Sequence, residues 1–385
     1  MIEGLREKYR RELLESVIPF WMRHSVDREN GGFWTCLDRR GEVYDPRKYI
    51  WLQGRQIWMF SRLYREWERR EEWLELARHG MEYLERHGRD EEGRYYFRLE
   101  PNGEGSAVQR KPYGAVFAML GMLEYGRASG EKRYEEEAKR LFWRIREWIA
   151  RPELLGRPAL GGPRMQQLAD VMVVAAMALE IAREDGDERY REVLGDCLRR
   201  ALWHREAGRE VLIESVGEGG ERFGHLPEGR LLNPGHSVET AWFLWLVMER
   251  LGDWRERGTV LDLIEGSLRE GWDREYGGLY YFVDIEGRPP LQLEAGMKLW
   301  WPHTEGLYAA ILAYARTGEQ RWEEWIRRLD EYSFRCFADG EYGEWFGYCD
   351  RQGRRTHELK GNHYKGCFHL PRFLLFSIQE LEGIR

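Results

Sequence analysis

Three histidines of this sequence lie at equivalent places, each near a turn that leads into an apolar helix. They are His236, His303 and His369, and each has a carboxylate or a cation nearby in the chain. A histidine titrates near neutral pH, so it can accept or donate a proton there. Glu239 lies three residues after His236, on the same helical face, where its carboxylate could orient the imidazole or take part in proton transfer. The pattern indicates acid–base chemistry.

The same turns carry an arginine and several aromatic side chains. Six such turns lie along the chain. Arg55 and Trp58 belong to the first turn, Trp301 to the fifth, and Tyr364 and Lys365 to the sixth. Aromatic rings beside carboxylates, arginine and histidine suit a sugar, which offers apolar ring faces and hydroxyl groups. Each histidine alone could simply cap or fill a helix start. Their joint placement favours a shared binding pocket.

Neither a metal site nor a phosphate-binding loop is favoured. The histidines lie in different repeats of the unit described below. They lack a ligand spacing such as His-x-x-x-His, so we expect no metal. Gly161-Gly162-Pro163-Arg164 is glycine-rich but lacks the Gly-Lys-Ser/Thr ending of a P-loop, and Pro163 removes an amide donor. We expect it to be a turn.

The turns recur along the whole chain at a nearly fixed period, which is typical of repeated supersecondary units. Each unit is a loop or hairpin, an apolar helix, a Gly-marked turn and an amphipathic helix. Residues that mark the starts of successive apolar helices are 57 to 67 residues apart; they are Arg55, Tyr113, Asp170, His236, His303 and His369.

Two sets of helices differ in composition. Ala115–Leu123 and Val171–Leu179 are apolar nearly all round, as an enclosed helix must be, whereas Arg133–Arg140 is charged on one side. An inner ring of six helices inside an outer ring of six buries the first set and exposes the second. We therefore predict one all-α domain over residues 1–385, an (α/α)₆ barrel with short β-hairpins on the face that carries the site. An open solenoid of helix pairs is the structural alternative.

Bulk properties exclude several classes of protein. The 385 residues carry a formal net charge of −7 with both signs interspersed, which gives no basic stripe for nucleic acid. The N-terminus is charged from its third residue, and the longest apolar run is about half of the roughly 20 residues that a membrane span needs. We expect a cytoplasmic protein with no membrane partner. The five scattered cysteines predict buried reduced thiols.

Several longer motifs resemble the N-acylglucosamine 2-epimerases, also called renin-binding proteins. The motifs are Trp51-Leu52-Gln53-Gly54-Arg55-Gln56-Ile57-Trp58-Met59, Asn233-Pro234-Gly235-His236, Met297-Lys298-Leu299-Trp300-Trp301-Pro302-His303-Thr304-Glu305, Glu341-Tyr342-Gly343-Glu344-Trp345-Phe346-Gly347-Tyr348 and Lys365-Gly366-Cys367-Phe368-His369. The resemblance runs from about residue 20 to the end. It implies an (α/α)₆ barrel, often a homodimer, that interconverts N-acetylglucosamine and N-acetylmannosamine. Relatives epimerise cellobiose or mannose, or isomerise aldoses to ketoses.

The resemblance also implies roles for individual residues. His236 and His369 match the family's two acid–base histidines, Arg55 matches an arginine that holds a substrate oxygen, and Glu239 and Glu305 match supporting carboxylates. Inverting C2 of an open-chain aldose needs one base on each face of a planar enediolate, and an arginine can stabilise its developing oxygen charge. We expect substrate contacts from Trp58, Tyr113, Trp301, His303, Tyr364 and Lys365.

Departures from the family pattern bear on the substrate. The chain has Gly114-Ala115 where several acylglucosamine enzymes carry Ser-Glu, and Met165–Asp170 lacks the histidine that cellobiose epimerases usually carry. The second departure argues against a disaccharide. No cofactor is required for this chemistry, although ATP activates some members without being consumed. Mannose/glucose 2-epimerisation, aldose–ketose isomerisation, glycoside hydrolysis and non-catalytic sugar binding remain as alternatives.

Overall fold

The computed structural model describes residues 2–109, 111–156 and 164–384. Within these residues twelve helices follow one another along the chain. They are α1 (consecutive segments Ile2–Arg11, the π-helical Glu12–Val17, and Ile18–His24), α2 (Ile50–Glu66), α3 (Glu71–His87), α4 (Tyr113–Ser129), α5 (Lys132–Ala150), α6 (Leu168–Ala182), α7 (Glu188–Leu202), α8 (Pro234–Leu251), α9 (Arg257–Gly271), α10 (Trp300–Thr317), α11 (Arg321–Phe337) and α12 (His369–Gly383). Short 3₁₀ turns lie at Pro152–Leu155 and Glu228–Arg230.

The even-numbered helices form an inner ring and the odd-numbered helices pack outside it, so the predicted (α/α)₆ barrel is confirmed. Each inner helix contacts the next inner helix along the chain. The ring closes where Trp58 of α2 meets Phe368 and Phe376 at α12, with ring centroids 5.3 and 6.1 Å apart. The turn expected at Gly161–Pro163 lies outside the described residues.

The burial of each helix follows from its sequence. Residues 300–313 of α10 are buried without interruption, as expected for a helix enclosed on all sides. Helix α5 instead buries Tyr134, Ala138, Leu141, Ile145 and Trp148, which recur at three- and four-residue spacing, and exposes its charged face. The hydrophobic core therefore lies within and between the two rings.

Two inner helices approach each other at glycines. A Cβ atom on Gly54 of α2 would lie 2.2 Å from the carbonyl oxygen of Phe117 on α4, and one on Gly121 would lie 2.8 Å from the oxygen of Gly54. Only glycine allows this backbone contact. It brings Arg55, next to Gly54, close to the centre of the ring.

Short antiparallel strands surround the mouth of the barrel at the start of the inner helices. Three pairs are local hairpins: Cys36–Leu37 with Val43–Asp45, Arg98–Leu99 with Gly105–Ala107, and Arg205–Glu206 with Val211–Leu212. The others join successive repeats: Lys48–Tyr49 with Arg98–Leu99, Met165–Gln167 with Ser215–Gly217, Leu231–Leu232 with Val283–Asp284, and Lys298–Leu299 with Tyr348–Cys349. The predicted hairpins are thus partly strand pairs between repeats.

Buried lysine–aspartate pairs anchor three of the loops at the mouth. Each lysine is fully buried and its Nζ lies within 3.1 Å of an aspartate oxygen of a glycine-containing loop. A buried charge is tolerated only when it is paired in this way. The pairs are Lys48–Asp27, Lys298–Asp273 and Lys360–Asp339.

All five cysteines are buried and free, which confirms the sequence prediction. Among the residues that the structure describes, no helix combines the length and apolarity that crossing a membrane requires.

Candidate active site

A cavity of about 620 Å³ opens at the mouth of the barrel, and we call it the front cavity. Most of its lining comes from the first turns of the inner helices and the loops before them. The geometry therefore gathers side chains that are hundreds of residues apart in the chain. Those predicted from the sequence that line it are Arg55, Tyr113, His236, Glu239, Trp301, Tyr364 and His369.

His236 is positioned by the start of α8. Asn233 caps this helix, its side-chain oxygen accepting the His236 backbone N–H at 3.1 Å, and Pro234 occupies the first helical position, where no amide is needed. The Nδ1 atom of His236 lies 3.0 Å from Oε1 of Glu214, in the turn before strand Ser215–Gly217. The carboxylate that orients His236 is therefore Glu214, and the prediction that Glu239 does so is wrong.

His369 is the first residue of α12, and its Nδ1 lies 2.8 Å from Oε1 of Glu305 on α10. Arg372, three residues later on the same helix, donates to Glu305 at 2.7 Å and to Glu239 at 2.6 Å through Nη2. Glu239 and Glu305 thus share the guanidinium of Arg372, which lies next to His369. The hydrogen bond from His369 to Glu305 holds the imidazole in one orientation.

The two histidines have the same orientation relative to their carboxylates. Because each Nδ1 is directed at a carboxylate, the neutral ring carries its proton on Nδ1 and leaves Nε2 as an acceptor. Neither Nε2 atom has a hydrogen-bond partner among the described residues. Both rings contact the indole of Trp301, with centroids 5.2 Å away for His236 and 5.7 Å away for His369. Two available bases therefore face one cavity.

The surroundings shift the pKa values of the two imidazoles in opposite directions. Burial lowers the pKa of His369 well below its ordinary value, and the charges of Arg55 and Arg372 lower it further. Burial also acts to lower the pKa of His236, but the charge and hydrogen bond of Glu214 outweigh it, so the pKa of His236 is raised. At neutral pH His369 is a neutral base, and His236 holds a proton more readily.

Arg55 presents a guanidinium that is held by aromatic rings alone. Its Cζ lies 4.5 Å from the ring centroid of Trp51, 4.0 Å from that of Phe117 and 4.9 Å from that of Phe368. Among the described residues it has neither a hydrogen bond nor an ion pair within 4 Å. Burial and the charge of Arg372 lower the pKa of Arg55 to about 9, so it stays cationic at neutral pH. Its donors are available to a ligand oxygen.

Glu239, Glu305 and His369 are also the described residues that come closest to a metal site, with their ligand atoms within 4.8 Å of one another. Arg372 lies among them and hydrogen-bonds both carboxylates. A cation already occupies the position that an ion would take, so the donor set fits an arginine better than a metal. The expectation of no metal stays a prediction.

Three predicted substrate contacts lie away from this cavity. His303 is fully buried, where it accepts a hydrogen bond from the backbone N–H of Leu279 and stacks on Tyr332 at 5.0 Å. It is the fourth residue of α10, and its side chain turns towards α11. A substrate contact from His303 does not fit this placement, which is structural.

Lys365 and Trp58 also lie elsewhere. The Nζ of Lys365 is buried and donates to Glu344 at 2.5 Å and to the backbone oxygen of Lys360 at 2.7 Å. Trp58 lies two turns into α2 and lines a second cavity at the opposite end of the barrel. Neither side chain lines the front cavity, so neither fits its predicted role as a substrate contact.

Sequence reasoning missed Glu214 and Arg372. Arg372 follows His369 by three residues, a spacing that places both on one helical face and could have indicated it. Glu214 lies 22 residues before His236 in a different element, and only the folded chain brings them together. The aromatic Tyr281 and the apolar Met172 and Val173 also line the cavity without having been predicted.

Comparisons with known proteins agree with this geometry. A model of the family N-acylglucosamine 2-epimerase (GlcNAc 2-epimerase) matches residues 32–369. The N-acylglucosamine 2-epimerase of Mus musculus is 42% identical over 383 residues, covering 96% of this chain and 90% of the mouse protein. That of Homo sapiens is 41% identical over 395 residues, covering 100% and 91%. The solved structure of cellobiose 2-epimerase from Bacillus thermoamylovorans B4167 has the same fold, with a TM-score of 0.84 at 20% identity, covering 98% of this chain and 99% of that one.

Fold, site and relatives together define a carbohydrate 2-epimerase, which is an isomerase. Within that class, the chain belongs to the N-acylglucosamine 2-epimerase family. The resemblance found in the tryptophan-rich motifs is confirmed.

Proposed function

We propose that this protein interconverts N-acyl-D-glucosamine and N-acyl-D-mannosamine by moving a proton at C2 of the open-chain sugar. The observation that carries the proposal is the pair of imidazoles, His236 and His369. Each has its Nδ1 on a carboxylate and its Nε2 free in one cavity. Epimerisation requires one acid–base group on each face of the carbon, which this pair can provide.

The pKa shifts support a division of labour. His369, neutral at rest, removes the C2 proton through Nε2, which gives an enolate whose charge lies on the C1 oxygen, since C2 carries nitrogen. His236, protonated, then returns a proton to the opposite face, and the reverse reaction exchanges the two roles. The unpaired guanidinium of Arg55 stabilises the charge that develops on the C1 oxygen of the enolate. Each forward turnover leaves His369 protonated and His236 neutral, so proton exchange with solvent restores the resting state and the total number of protons is unchanged.

An N-acylated amino sugar is the favoured substrate for two reasons. The two mammalian relatives reported above carry that name and align over nearly their full length. The cavity also has an apolar side made by Val116 and Leu120 of α4 and by Met172, Val173 and Ala176 of α6. Such a surface suits the methyl group of an acetyl substituent, whereas a free sugar would leave it without a partner.

The carboxylate arrangement argues against glycoside hydrolysis. A hydrolase needs two carboxyl groups that flank a glycosidic bond, one of them protonated. Here Glu239 and Glu305 both accept from the same Nη2 atom of Arg372. They are bound to a common cation beneath His369, and the two histidines would have no role in hydrolysis.

The test is isotope incorporation in deuterated water. The protein is incubated separately with N-acetylmannosamine, mannose, glucose and cellobiose, and the sugars are analysed by NMR. We expect deuterium at C2 and the C2 epimer as product, fastest with N-acetylmannosamine. Preferred turnover of mannose or glucose would overturn the acylated substrate. Formation of a ketose would favour an aldose–ketose isomerase.

Matched variants separate chemistry from folding. His236→Gln and His369→Gln should each abolish epimerisation, while thermal unfolding stays cooperative. His225→Gln, at an exposed histidine, should retain wild-type activity. Full activity in either active-site variant would refute the two-base assignment.

Three further properties belong to this proposal. We infer a homodimer, because members of the family that the motifs resemble are often homodimers, and a cytoplasmic location. We also infer that ATP can act as an activator that is not consumed. Light scattering on the purified protein tests the first, localisation of a tagged protein in cells the second, and assays with and without ATP the third.

A further inference from the structure

A second cavity, of about 450 Å³, opens at the other end of the barrel, where the inner helices terminate. We call it the rear cavity. Its walls are mainly aromatic and aliphatic, and its rim is charged. The apolar side chains come from all six inner helices and the residue before α12; they are Trp58, Leu120, Ala176, Leu179, Trp242, Phe243, Leu246, Tyr308, Phe368 and Phe376. A ring-shaped apolar group would gain burial there.

The four carboxylates at the rim are already neutralised by arginines. Glu66 pairs with Arg62 at 2.7 Å and with Arg183 at 2.6 Å, and Glu180 also pairs with Arg62. The remaining two share another arginine: Glu249 lies 2.9 Å and Glu380 2.5 Å from Arg316. An amine ligand would therefore have to displace an existing ion pair.

Arg250 and Tyr308 line the rear cavity with polar groups that lack a partner among the described residues. Arg250 lines the cavity and its guanidinium makes no ion pair or hydrogen bond, since the neighbouring Glu249 is held by Arg316. Tyr308 is only 4% exposed and its hydroxyl makes no hydrogen bond. Burial raises the pKa of Tyr308 well above its ordinary value, so the hydroxyl stays protonated and can donate. Both groups can serve an anion.

We propose that the rear cavity binds a small organic monoanion with an apolar ring, its carboxylate on Arg250 or Tyr308 and its ring against the aromatic walls. A sugar is disfavoured because it would need more free hydrogen-bonding groups than these two. The occupant is therefore chemically different from the substrate proposed for the front cavity. The inference is drawn from the rear cavity itself, and only the competition arm of the test below rests on the proposed function.

The two cavities share part of their walls, so a ligand bound in the rear cavity can affect the active site. Phe243, Phe368 and Arg372 line both cavities. The ring of Phe368 contacts the guanidinium of Arg55 at 4.9 Å and that of Arg372 at 4.7 Å. A ligand in the rear cavity therefore lies directly behind the groups that position His369.

Calorimetric titration with two probes of the same shape tests the proposal. Indole-3-acetate carries the anion, and indole-3-acetamide is its neutral analogue. We expect the acetate to bind with a Kd below about 1 mM and the acetamide about tenfold more weakly. Saturating N-acetylmannosamine should leave the site available, because the sugar occupies the other cavity. Equal affinity for the two probes, no binding, or competition with the sugar would each overturn the proposal.

Variants locate the binding. Arg250→Gln should weaken the acetate about tenfold and leave the acetamide unchanged. Leu246→Trp should abolish binding of both probes by filling the cavity. Arg255→Gln, whose side chain is 87% exposed outside the cavity, is the matched control and should bind like the wild type. Unchanged binding in both Arg250→Gln and Leu246→Trp would place the probe elsewhere and refute the site.

Discussion

His369 and Glu305 are joined by a 2.8 Å hydrogen bond between Nδ1 and Oε1, which links the first residue of α12 to the second turn of α10. The carboxylate is buried and also accepts from Arg372. It therefore holds the tautomer in which Nε2 can accept a proton from the cavity. Orientation of His369 depends on this bond.

Replacing Glu305 by Gln should reduce kcat about 100-fold, because an amide no longer fixes the tautomer of His369. KM should change much less, since Glu305 does not line the cavity. Steady-state kinetics with N-acetylmannosamine measures both constants, and circular dichroism checks the fold. A variant with wild-type kcat would show that Glu305 has no part in positioning the histidine.

Glu214→Gln should shift the pH profile. The negative charge of Glu214 raises the pKa of His236 against the effect of burial, so removing the charge lowers that pKa. The limb of the kcat/KM profile that reports His236 should move to lower pH. Glu218→Gln is the control, because this side chain is 64% exposed and follows the strand Ser215–Gly217 that Glu214 precedes. An unmoved limb in Glu214→Gln would contradict the pairing.

Arg55→Lys should lower kcat about 100-fold although the charge is kept. The planar guanidinium lies against three aromatic rings and offers several donors, whereas an ammonium group is a point charge. Arg65→Lys, at the far end of the same helix and partly exposed, serves as the control. If both variants keep full activity, Arg55 is not the group that stabilises the enolate.

Buried neutral histidines should destabilise the protein in acid. Burial lowers the pKa of His303 to about 3 and that of His204 to about 4, whereas an unfolded histidine has a pKa of about 6.5. The unfolded state therefore binds more protons below pH 6.5, and stability falls by about 1.4 kcal/mol per pH unit for each histidine. The loss is complete only below the folded pKa values.

His303→Gln tests this linkage through a slope. Denaturant unfolding between pH 7 and pH 5 should show a pH dependence smaller by about one proton than in the wild type. The lost hydrogen bonds lower stability at every pH, so the slope is the relevant measurement. His225→Gln should keep the wild-type slope, and an unchanged slope in His303→Gln would mean that His303 is protonated in the folded state.

Gly54→Ala should lower the free energy of unfolding by about 1–3 kcal/mol or more, because its methyl group would overlap the carbonyl of Phe117. Gly195→Ala on α7 is the contrast, since no atom lies within 4 Å of the added carbon. That change should stabilise the helix by about 0.5–1 kcal/mol. Urea unfolding of both variants measures the difference, and equal effects would refute the tight contact between α2 and α4.

Much of the fold could be predicted from the sequence because each helix has a strong local signal. The apolar run Val171–Leu179 and the one-sided charges of Arg133–Arg140 predicted an inner and an outer helix, and the structure has both. The exact start of a helix is harder to predict, and α9 begins at Arg257. Asp253 accepts the backbone N–H of Arg255 at 3.2 Å, which favours a turn before the helix. The single-domain organisation stays a prediction.

The site was less predictable because side-chain partners depend on helix phase and on distant loops. His236 and His303 both follow motifs at helix starts, but one is the third residue of its helix and the other the fourth. That difference of one position, about 100° around the axis, separates a cavity-facing ring from a buried one. Spacing alone could not reveal that Glu214 comes from a neighbouring strand region.

The strands at the mouth form six separate sheets of two or three strands within the described residues. No continuous sheet couples one loop to all the others, while the inner helices below supply both histidines and Arg55. Loop segments from related proteins can therefore be grafted one sheet at a time onto this scaffold, provided that the segment that carries Glu214 keeps this residue. The architecture lends itself to stepwise engineering of sugar preference by loop exchange.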